Sequence, residues 1–88
     1  MVKTLLATKD VIVGAMGNPF SAPNEAAGKR EWGYAVASEF KNPEPKINPL
    51  DLQLWCLGTF DDETGEIKSD VHLVAQAIEF KKETSYGV

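Results

Sequence analysis

The densest group of side chains that could do chemistry is a run of carboxylates in the second half of the 88-residue chain. The run consists of Asp61, Asp62, Glu63, Glu66 and Asp70. Hard divalent cations require several carboxylate oxygens close together, so a cation site is one interpretation. However, the spacing does not match an EF-hand loop, with its central Gly and closing Glu. We favour a solvated acidic hairpin tip that discourages edge pairing, and an acidic surface for a basic partner is compatible with it.

Cys56 and His72 are each the single residue of their type. Cys56 falls on the apolar side of a predicted strand, which favours a buried structural thiol over a nucleophile. His72 lacks the second His or nearby Cys of the usual zinc patterns, so we expect an ordinary strand histidine. The glycines after Val13 are not followed by the Gly-Lys-Ser/Thr of a phosphate loop. We therefore predict a protein that is not an enzyme and binds no metal or cofactor.

The length and charge of the chain limit the number of domains and the kinds of partner that it can have. A chain of 88 residues has room for one domain, which buries roughly 60–65% of its unfolded-state surface. The formal net charge of −4 argues against strong non-specific binding to nucleic-acid phosphates. No segment approaches the roughly 20 apolar residues of a membrane span, and the apolar run near residue 1 is too short for a signal peptide. We expect a soluble, intracellular protein that does not contact membranes.

The elements that must position these residues begin with a strand-like stretch at residues 3–13, in which residues 8–10 are either a turn or a solvated part of one long strand. Breakers at residues 14–19 then redirect the chain. Asn24 is a good N-cap, which predicts an amphipathic helix from Asn24 to Phe40 that packs one face on a sheet. The packed stripe is predicted to contain Gly28, Trp32, Ala35, Val36 and Phe40.

A proline-rich linker at residues 42–49 leads to a strong strand at residues 52–60, and residues 71–80 are predicted to form the final strand. The fold class is therefore α+β: a small antiparallel β-sheet of about four strands in ββαββ order, with one amphipathic helix on one face. Residues 1–80 form the domain, and residues 81–88 are expected to be a flexible tail. The residues predicted to be most buried are Trp32, Val36, Leu54, Cys56 and Phe60.

Two groups of residues are candidates for an interaction surface. Trp55 and Leu57 lie on the second face of their strand, which one helix would leave uncovered, and this favours a homodimer through the sheet. Tyr34, with Lys29 and Arg30 nearby on the helix, offers the alternative of a single-stranded DNA-binding protein that stacks bases on Tyr34 and Trp55. The acidic charge makes the homodimer the favoured interpretation.

Residues 52–67, LQLWCLGTFDDETGEI, resemble the hairpin signature DLYxIGEFDDxTGxI of a small non-structural protein of the gokushoviruses. These are microviruses, tailless icosahedral phages with circular single-stranded DNA genomes. Residues 9–10 resemble the family's early DxK region, and residues 18–24 resemble its xPFFAxN segment. Residues 29–32 resemble its AxRxF helix, with Gly28 where Ala is usual, and residues 73–77 resemble its LAxG strand. The similarity spans roughly residues 3–80, and the hairpin is its specific part.

This resemblance implies a non-structural accessory protein in viral single-stranded DNA synthesis or packaging, similar to the microvirus protein that switches synthesis toward single-stranded genomes. The family supplies no catalytic residues to carry over. Expected partners are phage replication or capsid proteins, with single-stranded DNA as an alternative, and the expected location is the host cytoplasm rather than the mature virion. The acidic charge argues against genome condensation. A host-directed inhibitor that uses the acidic hairpin as a nucleic-acid mimic is a third hypothesis.

Overall fold

The computed structural model describes residues 1–81 and confirms the predicted α+β class, with one α-helix on a five-stranded antiparallel sheet within that range. The strands are β1 (Val2–Asp10), β2 (Ala15–Met16), β3 (Phe20–Ala22), β4 (Leu52–Asp61) and β5 (Ile67–Gln76), and the helix is α1 (Glu25–Phe40). Short 3₁₀ segments cover Pro49–Asp51 and Ala77–Phe80. The sheet order is β2-β1-β4-β5, and β3 also pairs with β1. Residues 82–88, most of the predicted tail, lie outside the described range. Neither α1 nor any shorter described helix has the length and apolar character of a membrane span.

The first strand ends earlier than the sequence predicts. Val11, Ile12 and Val13, which read as strand residues, form an exposed turn between β1 and β2. The carboxylate of Asp10 accepts the backbone N–H groups of Ile12 at 3.0 Å and Val13 at 3.4 Å. The N–H of Gly14, which has a φ of 78°, donates to the Asp10 carbonyl at 2.7 Å. Local hydrogen bonds from an Asp side chain compete with strand pairing and here end the strand.

A short strand that the sequence did not predict follows the breakers. Residues 20–22 of β3 pair antiparallel with residues 4–6 of β1. Ala22 is buried, and Phe20 is half-buried against the core. Three residues are too few to show the alternation on which a strand prediction depends.

The helix begins where the sequence predicts. The side chain of Asn24 accepts the N–H of Ala27 at 2.8 Å, as an N-cap should. Within α1 the predicted stripe is largely confirmed: Gly28, Trp32 and Val36 are buried, whereas Ala35 is exposed. Phe40 is half-buried against the core.

Gly28 allows the close approach of helix to sheet that its position on the stripe suggested. A Cβ atom at this position would lie 2.6 Å from Cδ1 of Leu6 on β1. Trp32 then reaches the sheet, where its Nε1–H donates to the hydroxyl oxygen of Thr8 at 2.9 Å. Its ring meets that of Phe80 edge to face, with centroids 5.7 Å apart. These contacts fix α1 on the face of the sheet that carries Leu6.

The last strand is shifted from its predicted position at residues 71–80. β5 starts at Ile67, directly after a short turn in which Gly65 has a φ of 80°, and it ends at Gln76. The carboxylate of Glu79 accepts the backbone N–H of Gln76 at 2.7 Å, and this cap starts the 3₁₀ segment that carries Phe80 to the helix. The apolar residues at 77–80 therefore pack beside α1 and do not extend the sheet.

The core lies between α1 and the sheet. Its buried members are Leu6, Ala22, Trp32, Val36, Leu54, Ala75 and Ala77. Cys56 is also buried, as expected, but Phe60 is only half-buried. Phe60 pairs with Lys3 and Ile67 near the hairpin end of the sheet, four residues beyond the buried Cys56. The prediction that Phe60 is among the most buried residues is therefore wrong.

Candidate functional site

The face of the sheet opposite α1 carries the Trp55 that the sequence singled out. Leu6 faces the helix and is paired with Cys56, so the next pair, Ala7 and Trp55, points to the opposite side. On the neighbouring strand β5, Leu73 pairs with Trp55 and therefore lies on the same side of the sheet. We call the surface formed by Lys9, Gln53, Trp55, Leu57 and Leu73 the open face.

Trp55 is held in a defined orientation on the open face. Its Nε1–H donates to the side-chain oxygen of Gln53 at 3.0 Å, and the ammonium nitrogen of Lys9 lies 5.2 Å from its ring centroid. The second contact is a cation–π interaction. Trp55 and Leu57 are both half-buried. Ala7 has no exposed surface although it faces away from α1, and we attribute this to the indole of its neighbour Trp55.

β5 extends the apolar area in a way that the sequence did not indicate. Leu73 is 41% exposed, and Val71, two positions earlier, is 57% exposed. Within residues 1–81, β5 pairs only with β4 and forms an edge of the sheet. The strand order and the register would have been needed to place Leu73 beside Trp55, and no local pattern supplies them.

The other candidate residues lie on the outer side of the helix. Tyr34 is 70% exposed and Arg30, four residues earlier, is exposed as well. The ammonium of Lys29 lies 3.5 Å from a carboxylate oxygen of Glu79. Because α1 packs on the face away from Trp55, the structure does not bring these three residues together with Trp55 and Leu57. One DNA strand would have to pass around the domain to stack on both Tyr34 and Trp55.

The acidic hairpin forms the end of the β4–β5 ribbon, as predicted. Asp62, Glu63 and Glu66 are exposed, while Asp61 is half-buried. The N–H of Glu63 donates to the Asp61 carboxylate at 2.9 Å, and this hydrogen bond lowers the pKa of Asp61. Asp61 therefore keeps its negative charge to a lower pH than a free aspartate does.

A cationic group already lies among the carboxylates of the hairpin. The amino group of Met1 is 2.8 Å from Asp62 and 2.9 Å from Glu63, and the ammonium of Lys3 is 3.4 Å from Asp62. The hydrogen bond from the Met1 amino group lowers the pKa of Asp62. Ligand atoms of Asp61, Asp62 and Glu63 lie close enough to share a metal ion, but the Met1 amino group and Lys3 already offset part of their negative charge.

A second cluster forms beneath the start of the helix. Cys56 and His72 are partners across β4 and β5, and His72 Nε2 is 2.7 Å from an oxygen of Glu25 in the first turn of α1. The hydrogen bond with Glu25 raises the pKa of His72, and burial raises the pKa of the Cys56 thiol. The expectation that His72 has no cysteine nearby is wrong, because the hairpin between β4 and β5 folds back and places Cys56 opposite His72, 16 positions away in the sequence.

These features define a small acidic α+β protein with a helix on one side of its sheet and an exposed apolar row on the other. The sequence pattern of the phage ORF5 protein family matches residues 3–80, and the chain belongs to this family. It is therefore a bacteriophage protein, and the family indicates an accessory role. No curated protein and no solved structure matches the chain.

Proposed function

We propose that this protein is a non-enzymatic accessory factor in phage single-stranded DNA synthesis and packaging, and that it acts through protein contacts as a homodimer. Membership of the phage family supports the general role. The resemblance of residues 52–67 to the gokushovirus hairpin supports the narrower one. The expected partners are the replication initiator and the capsid proteins of a microvirus, and the expected location is the host cytoplasm and not the mature virion.

The observation that carries this proposal is the open face. Trp55 and Leu73 lie side by side across two strands, and Leu57 and Val71 lie close by along the same strands. Soluble monomers seldom leave a group of large apolar side chains together in contact with water. In a two-fold symmetric dimer, the open face of one protomer would be buried against the open face of the other. The two longer dimensions of the domain, 48 and 28 Å, leave room for the roughly 600–1,000 Å² per protomer that a standard interface buries.

Sedimentation or light scattering at micromolar concentration tests the dimer. We expect a mass twice that of the 9.6 kDa chain for the native protein. Leu73→Lys places a charge in the row at an already exposed position and should yield a folded monomer. The matched control is Tyr34→Lys on the outer side of α1, which should remain dimeric. A native protein that sediments as a monomer would refute the homodimer.

The functional role is tested in infected cells with the same two substitutions. Phage that carry Leu73→Lys should accumulate double-stranded DNA and form few single-stranded genomes, whereas phage that carry Tyr34→Lys should behave normally. Purified replication initiator and capsid proteins, offered in a pull-down, identify the partner. Normal single-stranded DNA yield from a null mutant would refute the role. Detection of the chain in purified virions would refute the expected location.

One observation favours the alternative, a single-stranded DNA-binding protein. Lys9 and Trp55 place a cation and an aromatic ring together on the open face, and this combination binds bases and phosphates. Titration of a labelled oligonucleotide at low and moderate salt distinguishes the two functions. Sub-micromolar binding that falls steeply with salt and is lost in Lys9→Gln would replace our proposal by the alternative. Weak binding that Lys9→Gln leaves unchanged would support action through protein contacts.

A further inference from the structure

The cluster beneath the first turn of α1 brings together three types of metal ligand from three elements. Glu25 belongs to the helix, Cys56 to β4 and His72 to β5. A carboxylate oxygen, the thiol sulfur and a ring nitrogen all lie within 4.8 Å of one another. The first two ligands are 31 positions apart in the sequence and the last two are 16 positions apart, so no spacing motif in the sequence reveals the group.

The chemistry of this set selects a particular class of cation. Thiolate and imidazole are ligands of zinc and related transition metals, whereas magnesium and calcium require oxygen ligands. Around a tetrahedral zinc ion, neighbouring ligand atoms are about 3.3–3.8 Å apart. The cluster would reach this geometry after two small movements. His72 Nε2 and the Glu25 oxygen, now 2.7 Å apart, would separate slightly, and the Cys56 sulfur would move toward both of them. Three protein ligands would leave a fourth position for water.

The orientation of His72 is a second, independent observation. Its Nδ1 lies 3.1 Å from the backbone carbonyl oxygen of Asp70 and 3.4 Å from an oxygen of the Asp70 side chain. A proton on Nδ1 satisfies these acceptors and leaves Nε2, the atom that faces Glu25, to bind a metal. This arrangement, in which the distal nitrogen of a metal-binding histidine donates to an oxygen, is the usual one in zinc sites.

The acidic hairpin provides the contrast. Its three carboxylates also come within 4.8 Å of one another, but they offer only oxygen, and an amino group already lies among them. The Glu25 cluster has no ammonium or guanidinium group among the salt-bridge partners of its described residues. A cation there would displace the proton of the Cys56 thiol and take the place of the contact between Nε2 and Glu25, so that it would lie between an anionic carboxylate and a thiolate.

We propose that Glu25, Cys56 and His72 bind one zinc ion, which joins the first turn of α1 to β4 and β5. The ion would cross-link the first turn of α1 to two strands through half-exposed side chains beside the core, and it would keep water in its fourth position. Small domains with limited cores commonly gain stability from such a metal. This inference is independent of the open face and of the role proposed above.

Cobalt titration of the metal-free, reduced protein tests the site, because Co²⁺ occupies zinc sites and reports its ligands by absorption. We expect one equivalent to bind and to give the near-ultraviolet band of a cobalt–thiolate bond together with visible bands of tetrahedral coordination. Zn²⁺ should displace it. Zinc at a hundredfold excess over its Kd should raise Tm by on the order of 10 °C.

Variants identify the ligands. Cys56→Ser should abolish the thiolate band, and His72→Asn should weaken cobalt binding by at least tenfold. Asp62→Asn in the acidic hairpin is the control and should bind as the native protein does. His72 is half-exposed, so its variant reports on the site even if Cys56→Ser does not fold. Absence of a thiolate band in the native protein, or an unchanged titration of His72→Asn, would overturn the proposal.

Discussion

Alanine substitutions at Gly58 and Gly65 distinguish the cost of backbone strain from the cost of steric overlap. Both have a positive φ, 142° and 80°, so alanine is unfavourable at either position. They differ in their surroundings. A Cβ at Gly65, in the hairpin turn, would meet no atom of residues 1–81 within 4 Å. A Cβ at Gly58, in the middle of β4, would overlap the backbone carbonyl oxygen of Lys68 and lie 3.1 Å from the backbone nitrogen of Asp70.

The structure therefore predicts different costs for the two substitutions. Gly65→Ala adds strain alone, about 1–2 kcal/mol. Gly58→Ala adds about 1–3 kcal/mol of strain in a region that only glycine populates readily. It also displaces the neighbouring strand, which costs a further 1–3 kcal/mol or so. The expected loss of roughly 2–6 kcal/mol is a large part of the roughly 4–13 kcal/mol that a domain of this length possesses.

Urea unfolding at one fixed protein concentration, followed by tryptophan fluorescence, measures both values. The fixed concentration matters because dimerisation would make the midpoint depend on it. We expect Gly58→Ala to have a much lower midpoint or to be unfolded without urea, while Gly65→Ala shifts modestly. Equal losses for the two variants would refute the close approach of β5 to Gly58.

Three further predictions address α1 and its contacts. Trp32→Ala should lower the free energy of unfolding by about 3–5 kcal/mol, since it removes a buried ring and its hydrogen bond, and urea unfolding measures this loss. Asn24→Ala should cost about 0.5–2 kcal/mol by the same assay, while Asn24→Asp should retain most of the cap. In NMR titration of the metal-free protein, the pKa of His72 should lie above 6.5 and should fall in Glu25→Gln. Because folding raises this pKa, the contribution of the pair to stability is present below the unfolded value and is lost as pH rises through the folded value.

Much of the fold could be predicted because its signals are local. Asn24 marks the start of the helix through a hydrogen bond three residues away, and the spacing of Gly28, Trp32 and Val36 identifies the packed face. The turn of the β4–β5 hairpin is likewise determined by neighbouring residues, because Gly65 adopts the positive φ that the turn requires. These features depend on backbone geometry over one or two turns of chain, and sequence patterns report that geometry directly.

The errors arise where a long-range or side-chain contact overrides the local pattern. Apolar residues at 11–13 favour a strand, but the Asp10 carboxylate accepts the N–H groups of Ile12 and Val13 and turns the chain. Apolar residues at 77–80 also favour a strand, but the Glu79 cap and the position of Phe80 beside Trp32 turn them into a 3₁₀ segment. In both places the hydrophobic pattern alone gives no indication of the competing hydrogen bond.

The candidate sites depend on register, which the sequence did not provide. β4 and β5 shift register between Leu54 and Trp55 and again between Cys56 and Gly58. Only with the first shift counted does Trp55 lie opposite Leu73 and Cys56 opposite His72. A regular hairpin extended from the pair of Leu54 and Ala75 would place each of these residues beside a different partner.

Trp55 and Cys56 are consecutive residues on β4, and their side chains point to opposite faces of the sheet. This alternation separates the proposed dimer surface from the proposed zinc site by the thickness of one strand. The two should therefore respond independently: Leu73→Lys should remove the dimer and keep the cobalt–thiolate spectrum, and His72→Asn should weaken cobalt binding and keep the dimer. Light scattering and cobalt titration of the same two variants test this. If either substitution abolished both properties while circular dichroism showed an intact fold, the two faces would be coupled through β4 and β5, and separate functions could not be assigned to them.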